Sequence, residues 1–400
     1  MKTASSKPSL FKNFSVLFTG LMAVQIINFL FSLVLPKYFS PNDFAEFGIY
    51  TSILFIVIEI VNAKLDVAVM LGKDAVESKK IVSASVTIAI LIFLLLLLIC
   101  IPIFFFFRRV YIFFPFTVLL YGIHQPVLVY LNKVGKFKSI NWFRLIQVMT
   151  TCIITLGLGI QHIHHSLIIG FVAGLLFATI YILKFIQPKF NLPNLKTILK
   201  EYDQFPKFGT WSSLLNNISR NSVPILLAQF FSRQWVGFYS YSTRLLNAPT
   251  GMYASSLGQV YFRAAGEQDN TTLKKTTRKI IVYSFFVSII PTLIILFFGK
   301  EIFFTLFSGE WIEAGKISQY LIIWYFLGVI ASPLSCLLDL KNELKFEFKF
   351  NLSLFACRIP AIIIGGLLHD FYLSILLFSI SGILLNLYLL YYINFIILEK

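Results

Sequence analysis

The chain has 400 residues, of which 58% are hydrophobic, 17% aromatic and only 13% charged, and its net charge is +16. Soluble domains carry about a quarter charged residues, so this composition excludes a soluble globular chain, and its hydrophobicity excludes a disordered one. The four cysteines (Cys100, Cys152, Cys336 and Cys357) all lie inside apolar stretches, which excludes a disulfide scaffold.

Lys2, Lys7 and Lys12 precede an apolar run that continues to Leu35 without a small-residue cleavage pattern, so the run reads as a first span rather than a removed leader. Eleven further apolar runs follow. A spanning helix needs about 20 mostly apolar residues, and only helices or closed barrels satisfy every backbone group in lipid. The runs therefore predict twelve transmembrane helices, at about 14–35, 44–63, 81–107, 110–131, 140–160, 166–187, 209–231, 236–261, 280–298, 317–340, 350–368 and 371–397. The connections are short, and no separate soluble domain is expected.

A shift of 192 residues lays Lys37–Tyr50 on Gln229–Ser242, matching Phe39 with Phe231, Ser40 with Ser232 and Phe47 with Tyr239. Each segment joins two consecutive spans at one face of the membrane. The expected fold class is thus an all-α polytopic membrane protein, with twelve transmembrane helices in two pseudo-repeated six-helix bundles around a central cavity. The N-terminal bundle covers 1–190, a cytoplasmic linker 191–208 and the C-terminal bundle 209–400. Parallel repeats of this kind place their substrate site between the halves and alternate access by rocking.

Cytoplasmic loops retain Lys and Arg. With both termini cytoplasmic, 24 of the 34 Lys and Arg fall inside, 6 outside (Lys37, Arg108, Arg109, Arg233, Lys300 and Lys316) and 4 within helices. Topology and contact with membrane lipids account for the positive charge, and no nucleic-acid partner is expected.

Polar residues within spans are rare and mark function first. Gln25, Asn28 and Ser32 share one face of the first helix, and Ser213, Asn217 and Arg220 share one face of the seventh. The same 192 shift puts Gln25 on Asn217 and Asn28 on Arg220. Interhelical hydrogen bonding is the alternative role of such amides. Arg144, Arg220, Arg244 and Arg358 lie within helices, where each costs about 2.5–3.5 kcal/mol at the bilayer centre on insertion scales, so they are expected to face inward. At about 1.5 Å per residue, Arg220 lies about 16 Å from the inner end of its helix, Arg358 about 12 Å from the inner end of the eleventh, and Arg244 about 12 Å from the outer end of the eighth. Arg144 is shallow enough to snorkel to the headgroups. Few acids stand near to neutralise them, Glu59 and Asp339 being close to inner helix ends. The expected cavity is cationic, and a planar guanidinium suits a phosphorylated substrate.

Pro102, Pro126, Pro224, Pro249, Pro291, Pro333 and Pro360 fall in spans as candidate bends, tolerated where neighbours re-satisfy the freed backbone. His162, His164 and His165 cluster in an outer connection without partnered Cys or carboxylates, so no metal site is assigned. No phosphate loop, dinucleotide fingerprint or nucleophile elbow is present. The chain is expected to be a non-enzyme with no cofactor, and any coupling ion is left open.

The stretch Phe205-Pro-Lys-Phe through Trp235-Val-Gly-Phe-Tyr-Ser-Tyr-Ser-Thr-Arg244-Leu-Leu-Asn-Ala-Pro249 to Leu257-Gly-Gln-Val-Tyr-Phe262 resembles the seventh and eighth spans of bacterial polysaccharide flippases. These are the Wzx-type O-antigen translocases of the multidrug/oligosaccharidyl-lipid/polysaccharide (MOP) superfamily. Leu306-Phe-Ser-Gly-Glu-Trp311-Ile-Glu-Ala-Gly315, Ser332-Pro333-Leu and Phe39-Ser-Pro-Asn-Asp-Phe-Ala-Glu-Phe-Gly48 are similar to other parts of that family. The resemblance implies translocation of an undecaprenyl-pyrophosphate-linked oligosaccharide, the repeat unit of O-antigen or another surface polysaccharide, from the cytoplasmic to the periplasmic leaflet of a bacterial inner membrane. It also implies that Arg244 takes the role of the eighth-span arginine, and that the polymerase and glycosyltransferases of the same pathway are partners. No charge stands in the first span, so the energy source is not implied. On this reading Arg220 and Arg244 hold the diphosphate, Gln25, Asn28, Ser213 and Asn217 line the sugar path, and Arg358 and Arg144 attract the headgroup from inside. The rival classes are a membrane-embedded polysaccharide polymerase or glycosyltransferase, disfavoured by short outer loops, and a cation-coupled multidrug exporter, disfavoured by the excess of arginine over acid.

Overall fold

The computed structural model describes residues 10–106, 113–186, 188–341 and 343–397, and among them there are helices and no strands. In chain order the helices are α1 (Leu10–Val34), α2 (Pro41–Val61), α3 (Leu65–Ala68), α4 (Ala75–Phe106), α5 (Phe113–Lys133), α6 (Phe137–Ile160), α7 (Ser166–Leu183) and α8 (Leu192–Glu201). They continue as α9 (Thr210–Phe230), α10 (Arg233–Glu267), α11 (Asn270–Phe307), α12 (Ile312–Ala331), α13 (Cys336–Leu340), α14 (Leu344–Leu367) and α15 (Phe371–Tyr392). Twelve of the fifteen, all but α3, α8 and α13, have 18 residues or more. Among the described residues, ten helices are long and apolar enough to cross a membrane by length and composition alone. The two long helices that fall short are α9 and α10, which carry Asn217, Arg220, Asn221, Arg244 and Asn247. Of the charges used to orient the chain, Lys2, Lys7, Arg108, Arg109 and Lys400 lie outside the described residues.

Several helices outrun the apolar runs that announce them. α10 continues to Glu267 and α11 begins at Asn270, because the polar turns holding Lys274, Lys275, Arg278 and Lys279 remain helical. Asp269 starts α11 by accepting the backbone N–H groups of Thr271 (3.1 Å) and Thr272 (3.2 Å), the bond that an N-cap supplies to orphan donors. Farther along α11, Phe286, Ile290 and Phe297 are exposed, an apolar face suited to lipid.

The chain divides into two compact units, one of Met1–Asn28 with Leu54–Leu214, the other of Phe29–Ile53 with Leu215–Lys400. Helices α1, α2 and α9 are therefore shared, and residues 29–53 group with the second half of the sequence.

In the first unit α7 lies tightly on α6. A Cβ on Gly170 would come within 2.0 Å of Thr155 Oγ1, and one on Gly174 within 2.0 Å of Thr151 Oγ1; small residues four apart let membrane helices approach in this way. Pro126 in α5 has no N–H to give the carbonyl of Gly122 four residues earlier. The buried Asn62 supplies the substitute: its Nδ2 donates to Gly122 O (2.9 Å), Ser85 Oγ (2.8 Å) and Ser85 O (3.3 Å). Asn62→Leu is expected to strand that carbonyl and destabilise the protein by about 1–3 kcal/mol. Adding Pro126→Ala, which restores the helical N–H, should recover part of the lost melting temperature in detergent.

At the other end of α5, Lys133 Nζ donates to Val69 O (3.2 Å), Ser78 Oγ (2.7 Å) and Gly72 O, so this lysine ties the α3 to α4 turn together. Beside it, α8 is capped by Asn191, whose side chain accepts from Asn194 N at 2.9 Å. Leu195 and Ile198 of α8 are buried in the core that includes Ile81 and Ala84 of α4.

The second unit is built on α12, which packs against α10, α11 and α15. Ser242 Oγ on α10 donates to Ala314 O on α12 at 2.7 Å. An aromatic knot closes one end: the Trp311 ring lies 4.7 Å from Tyr241, 5.3 Å from Phe44 and 6.0 Å from Phe238.

Candidate functional site

Hydropathy keeps α9 and α10 from being ordinary lipid-facing helices, so their polar side chains need polar surroundings. On α9, Asn221 Nδ2 donates to both the backbone oxygen (3.0 Å) and Oδ1 (3.1 Å) of Asn217, one turn earlier. Arg220, between them in sequence, is exposed and makes no hydrogen bond or ion pair among the described residues.

Arg220 acts electrostatically on Arg358 of α14. Arg358 is only 7% exposed. Its guanidinium carbon lies 5.1 Å from the centroid of the Trp324 ring and 5.3 Å from that of Phe378, a cation held by ring faces. Its Nε is buried without a hydrogen-bond partner. The charged and titratable groups acting on it among the described residues are Arg220, Tyr239 and Tyr325, so two like charges share one neighbourhood with no carboxylate among those groups. Asn247 reaches the Tyr325 hydroxyl from α10. Such an arrangement is unfavourable by itself and becomes favourable when an anion sits against it.

Arg244 has other company. Its Nε donates to Ser32 Oγ at 3.1 Å, and its guanidinium lies 5.9 Å from the Phe31 ring centroid and 5.6 Å from that of Phe47. Tyr241, one turn earlier, donates its hydroxyl to Ser32 O at 3.1 Å. The arginine that the sequence pairs with Arg220 thus has α1 and α2 side chains as its partners, while Arg358, assigned only to attracting headgroups, shares the neighbourhood of Arg220.

The remaining sequence candidates belong to the first unit, apart from Asn217. Gln25 and Asn28 are half-buried on α1, Ser213 is half-buried at the start of α9, and Arg144 is half-buried on α6 with no ion pair among the described residues. Glu59, one of the two acids weighed as counter-ions, is taken by Lys64 at 2.7 Å. The His164 and His165 rings are 6.3 Å apart, and no group of three metal-ligating side chains occurs among the described residues. Sequence reasoning missed Trp324, Phe378, Tyr239, Tyr325, Asn221 and Asn247. Asn221 extends the α9 stripe and Asn247 follows Arg244 by three positions, so both carried a helical-spacing signal. The aromatic residues had none in a chain with 44 Phe and 18 Tyr.

Residues 34–316 match the family described as polysaccharide biosynthesis protein. The chain belongs to this family. Its matched portion runs from the end of α1 into α12, so it holds Arg220, Arg244 and Trp311 and stops short of Arg358. This polysaccharide biosynthesis protein is also 26% identical over 165 residues to the lipopolysaccharide biosynthesis protein WzxC of Escherichia coli (strain K12), covering 40% of this chain and 34% of WzxC. The chain therefore spans about a third of the length of that curated relative.

Its fold recurs in solved structures. The lipid II flippase MurJ in an inward closed conformation superposes with a TM-score of 0.79 at 18% identity, covering 95% of this chain and 87% of that one. An inward-facing multidrug resistance transporter of the MATE family gives 0.71 at 14% identity, covering 94% of both chains. A MOP superfamily transporter from Pyrococcus furiosus, whose structure is described by a binding pocket of reverse polarity, gives 0.61 at 13% identity over 96% and 95%. The chain is thus all-helical in its described residues, a multi-pass membrane protein whose fold is that of MOP superfamily transporters.

Proposed function

We propose that this protein is a flippase that carries an undecaprenyl-pyrophosphate-linked oligosaccharide from the cytoplasmic to the periplasmic leaflet of a bacterial inner membrane by alternating access. The observation that carries the reading is Arg358, a buried guanidinium with an unpartnered Nε, acted on by the Arg220 guanidinium and by no carboxylate. Guanidinium groups bind phosphate through paired, charge-assisted hydrogen bonds, and a diphosphate supplies charge for both. Family membership in polysaccharide biosynthesis supports a glycan as cargo, and the lysine distribution supports cytoplasmic termini.

On the first unit, Gln25, Asn28 and Ser213 offer amide and hydroxyl groups to the sugar, as Asn217 does on α9, and Arg144 draws the anionic headgroup from the inner leaflet. Glycosyltransferases would supply the substrate and a polymerase would consume it. No coupling ion is assigned. Export of cationic drugs, the reading a multidrug relative invites, is disfavoured because the site repels a cation.

The test is depletion of the protein in cells making the glycan, followed by probing spheroplasts with a membrane-impermeant glycosidase. Lipid-linked glycan should become at least tenfold less accessible from outside while its total amount rises. Unchanged accessibility would refute the flippase reading. Glycan that reaches the outer leaflet but stays as single repeat units would instead point to a polymerase.

A further inference from the structure

α10 is 35 residues long and holds Gly251 near its middle. A glycine inside a helix costs stability relative to alanine, and earlier on this helix packing justifies one, since a Cβ on Gly237 would run into the Pro41 carbonyl. At Gly251 no such reason holds. Its φ is not in the left-handed region, and a Cβ there would meet nothing within 4 Å. The missing side chain leaves open space and relieves no neighbour.

That space is not a lipid-facing gap. Ser240, Arg244, Asn247 and Gly251 follow one another at helical spacing and share one face of α10. The first part of the face is covered: Gly48 of α2 abuts Ser240, and Ser32 of α1 accepts from Arg244 Nε at 3.1 Å. Beyond Arg244 the face is bare, Asn247 and Gly251 both being exposed. Polar side chains on membrane helices face the protein interior or a water-filled cavity, so the exposed Asn247 amide turns Gly251, one turn on, the same way.

The bare stretch adjoins the two arginines. Asn247 reaches the Tyr325 hydroxyl, and Arg220 and Arg358 both act electrostatically on that tyrosine. The stretch itself is neutral. An amide that both donates and accepts, beside an unfilled gap, suits a polyhydroxylated group and not a second phosphate.

We infer that Asn247 and Gly251 form the subsite for the saccharide joined to the diphosphate, the Asn247 amide bonding its hydroxyls and the Gly251 gap setting the size of ring and substituent admitted. This rests on the flippase reading, which puts the diphosphate on Arg220 and Arg358; the sugar bonded to that diphosphate lies beside it. Gly251 is then a specificity-determining residue, because any side chain there takes the place of the sugar.

Two probes separate sugar from phosphate: undecaprenyl pyrophosphate itself, and the glycan-bearing carrier extracted from cells depleted of the protein. Their affinities for the purified full-length chain in nanodiscs give a ratio. The parent should prefer the glycan-bearing carrier about tenfold, the return of one or two good hydrogen bonds. Gly251→Phe should abolish the preference while melting close to the parent, because its ring enters open space. Gly251→Ala should lower the preference less and melt no lower than the parent. Arg358→Met should weaken both probes together.

A folded Gly251→Phe variant with the parental ratio would overturn the subsite. Should that variant fail to fold, Asn247→Leu, similar in size and unable to hydrogen-bond, decides in the same way. A parent that binds both probes equally overturns the subsite and leaves the flippase reading standing, whereas a parent that binds neither refutes the flippase reading and the subsite with it.

Discussion

Arg358→Met is expected to yield a protein that melts higher than its parent and no longer moves its substrate. The guanidinium sits between Trp324 and Phe378, 7% exposed, with Nε unpartnered and Arg220 as a like-charged neighbour. Ring contacts return about 0.5–2 kcal/mol each. Burying an unpaired ion costs several kcal/mol even after relaxation, and an orphaned donor adds about 1–3 kcal/mol. An apolar chain of similar length keeps the packing and removes both penalties, so a gain of about 1 kcal/mol or more follows.

Transport responds in the opposite direction. Each charge-assisted hydrogen bond to phosphate contributes about 1.5–3 kcal/mol, so losing either arginine should lower export about ten- to 150-fold. Arg220→Ala, at an exposed position, should lose export with little change in melting. Arg358→Lys should not rescue, because an ammonium lacks the planar fork. Detergent melting curves beside the spheroplast assay check both arms. A lower melting temperature with intact export in Arg358→Met would make Arg358 a structural cation and remove the anion site.

The contrast between Arg220, Arg244 and Arg358 shows which part of the site sequence could reveal. Depth along a helix follows from counting residues, and the count put Arg220 and Arg358 within about 4 Å of one another in depth. Which helices are neighbours does not follow from counting. The reading that joins Arg220 with Arg244 came from the eighth-span motif of the resemblance, and the electrostatic influence of Arg220 on Arg358 of α14 had no counterpart in it. The twelve spans were legible because lipid demands long apolar helices. Their ends were less so, since α10 and α11 stay helical in polar turns that hydropathy treats as loop. The polar α8 escaped for the same reason, while α13 was read as the end of the span 317–340, which the structure breaks at Ser332–Leu334, and α3 is a single turn. Asn62 left no periodic signal, being one residue past the end of α2, yet Pro126 had already announced that some neighbour must serve the carbonyl of Gly122. The repeat was legible as an alignment, but that Gly48 and its equivalent Ser240 meet in space is a fact of the fold.

Trp311→Ala should be the most destabilising single change in the second unit. The indole is fully buried and contacts Phe44 of α2, Phe238 and Tyr241 of α10, while Tyr241 in turn meets Phe303 and Phe307 of α11 at 6.1 and 5.4 Å. One side chain thus joins the ends of three long helices to the turn that starts α12. Truncating a buried Trp costs about 3–5 kcal/mol, and aromatic pairs add about 0.5–1.5 kcal/mol each beyond area. Trp311→Phe is the informative control. Trp311 Nε1 is buried with no hydrogen-bond partner, so phenylalanine gives up part of the packing but also removes an unsatisfied donor worth about 1–3 kcal/mol. The two effects nearly offset, and Trp311→Phe should melt within a few degrees of the parent while Trp311→Ala loses most of its folded yield. Equal melting of the two variants would mean that the aromatic knot adds nothing beyond filling space.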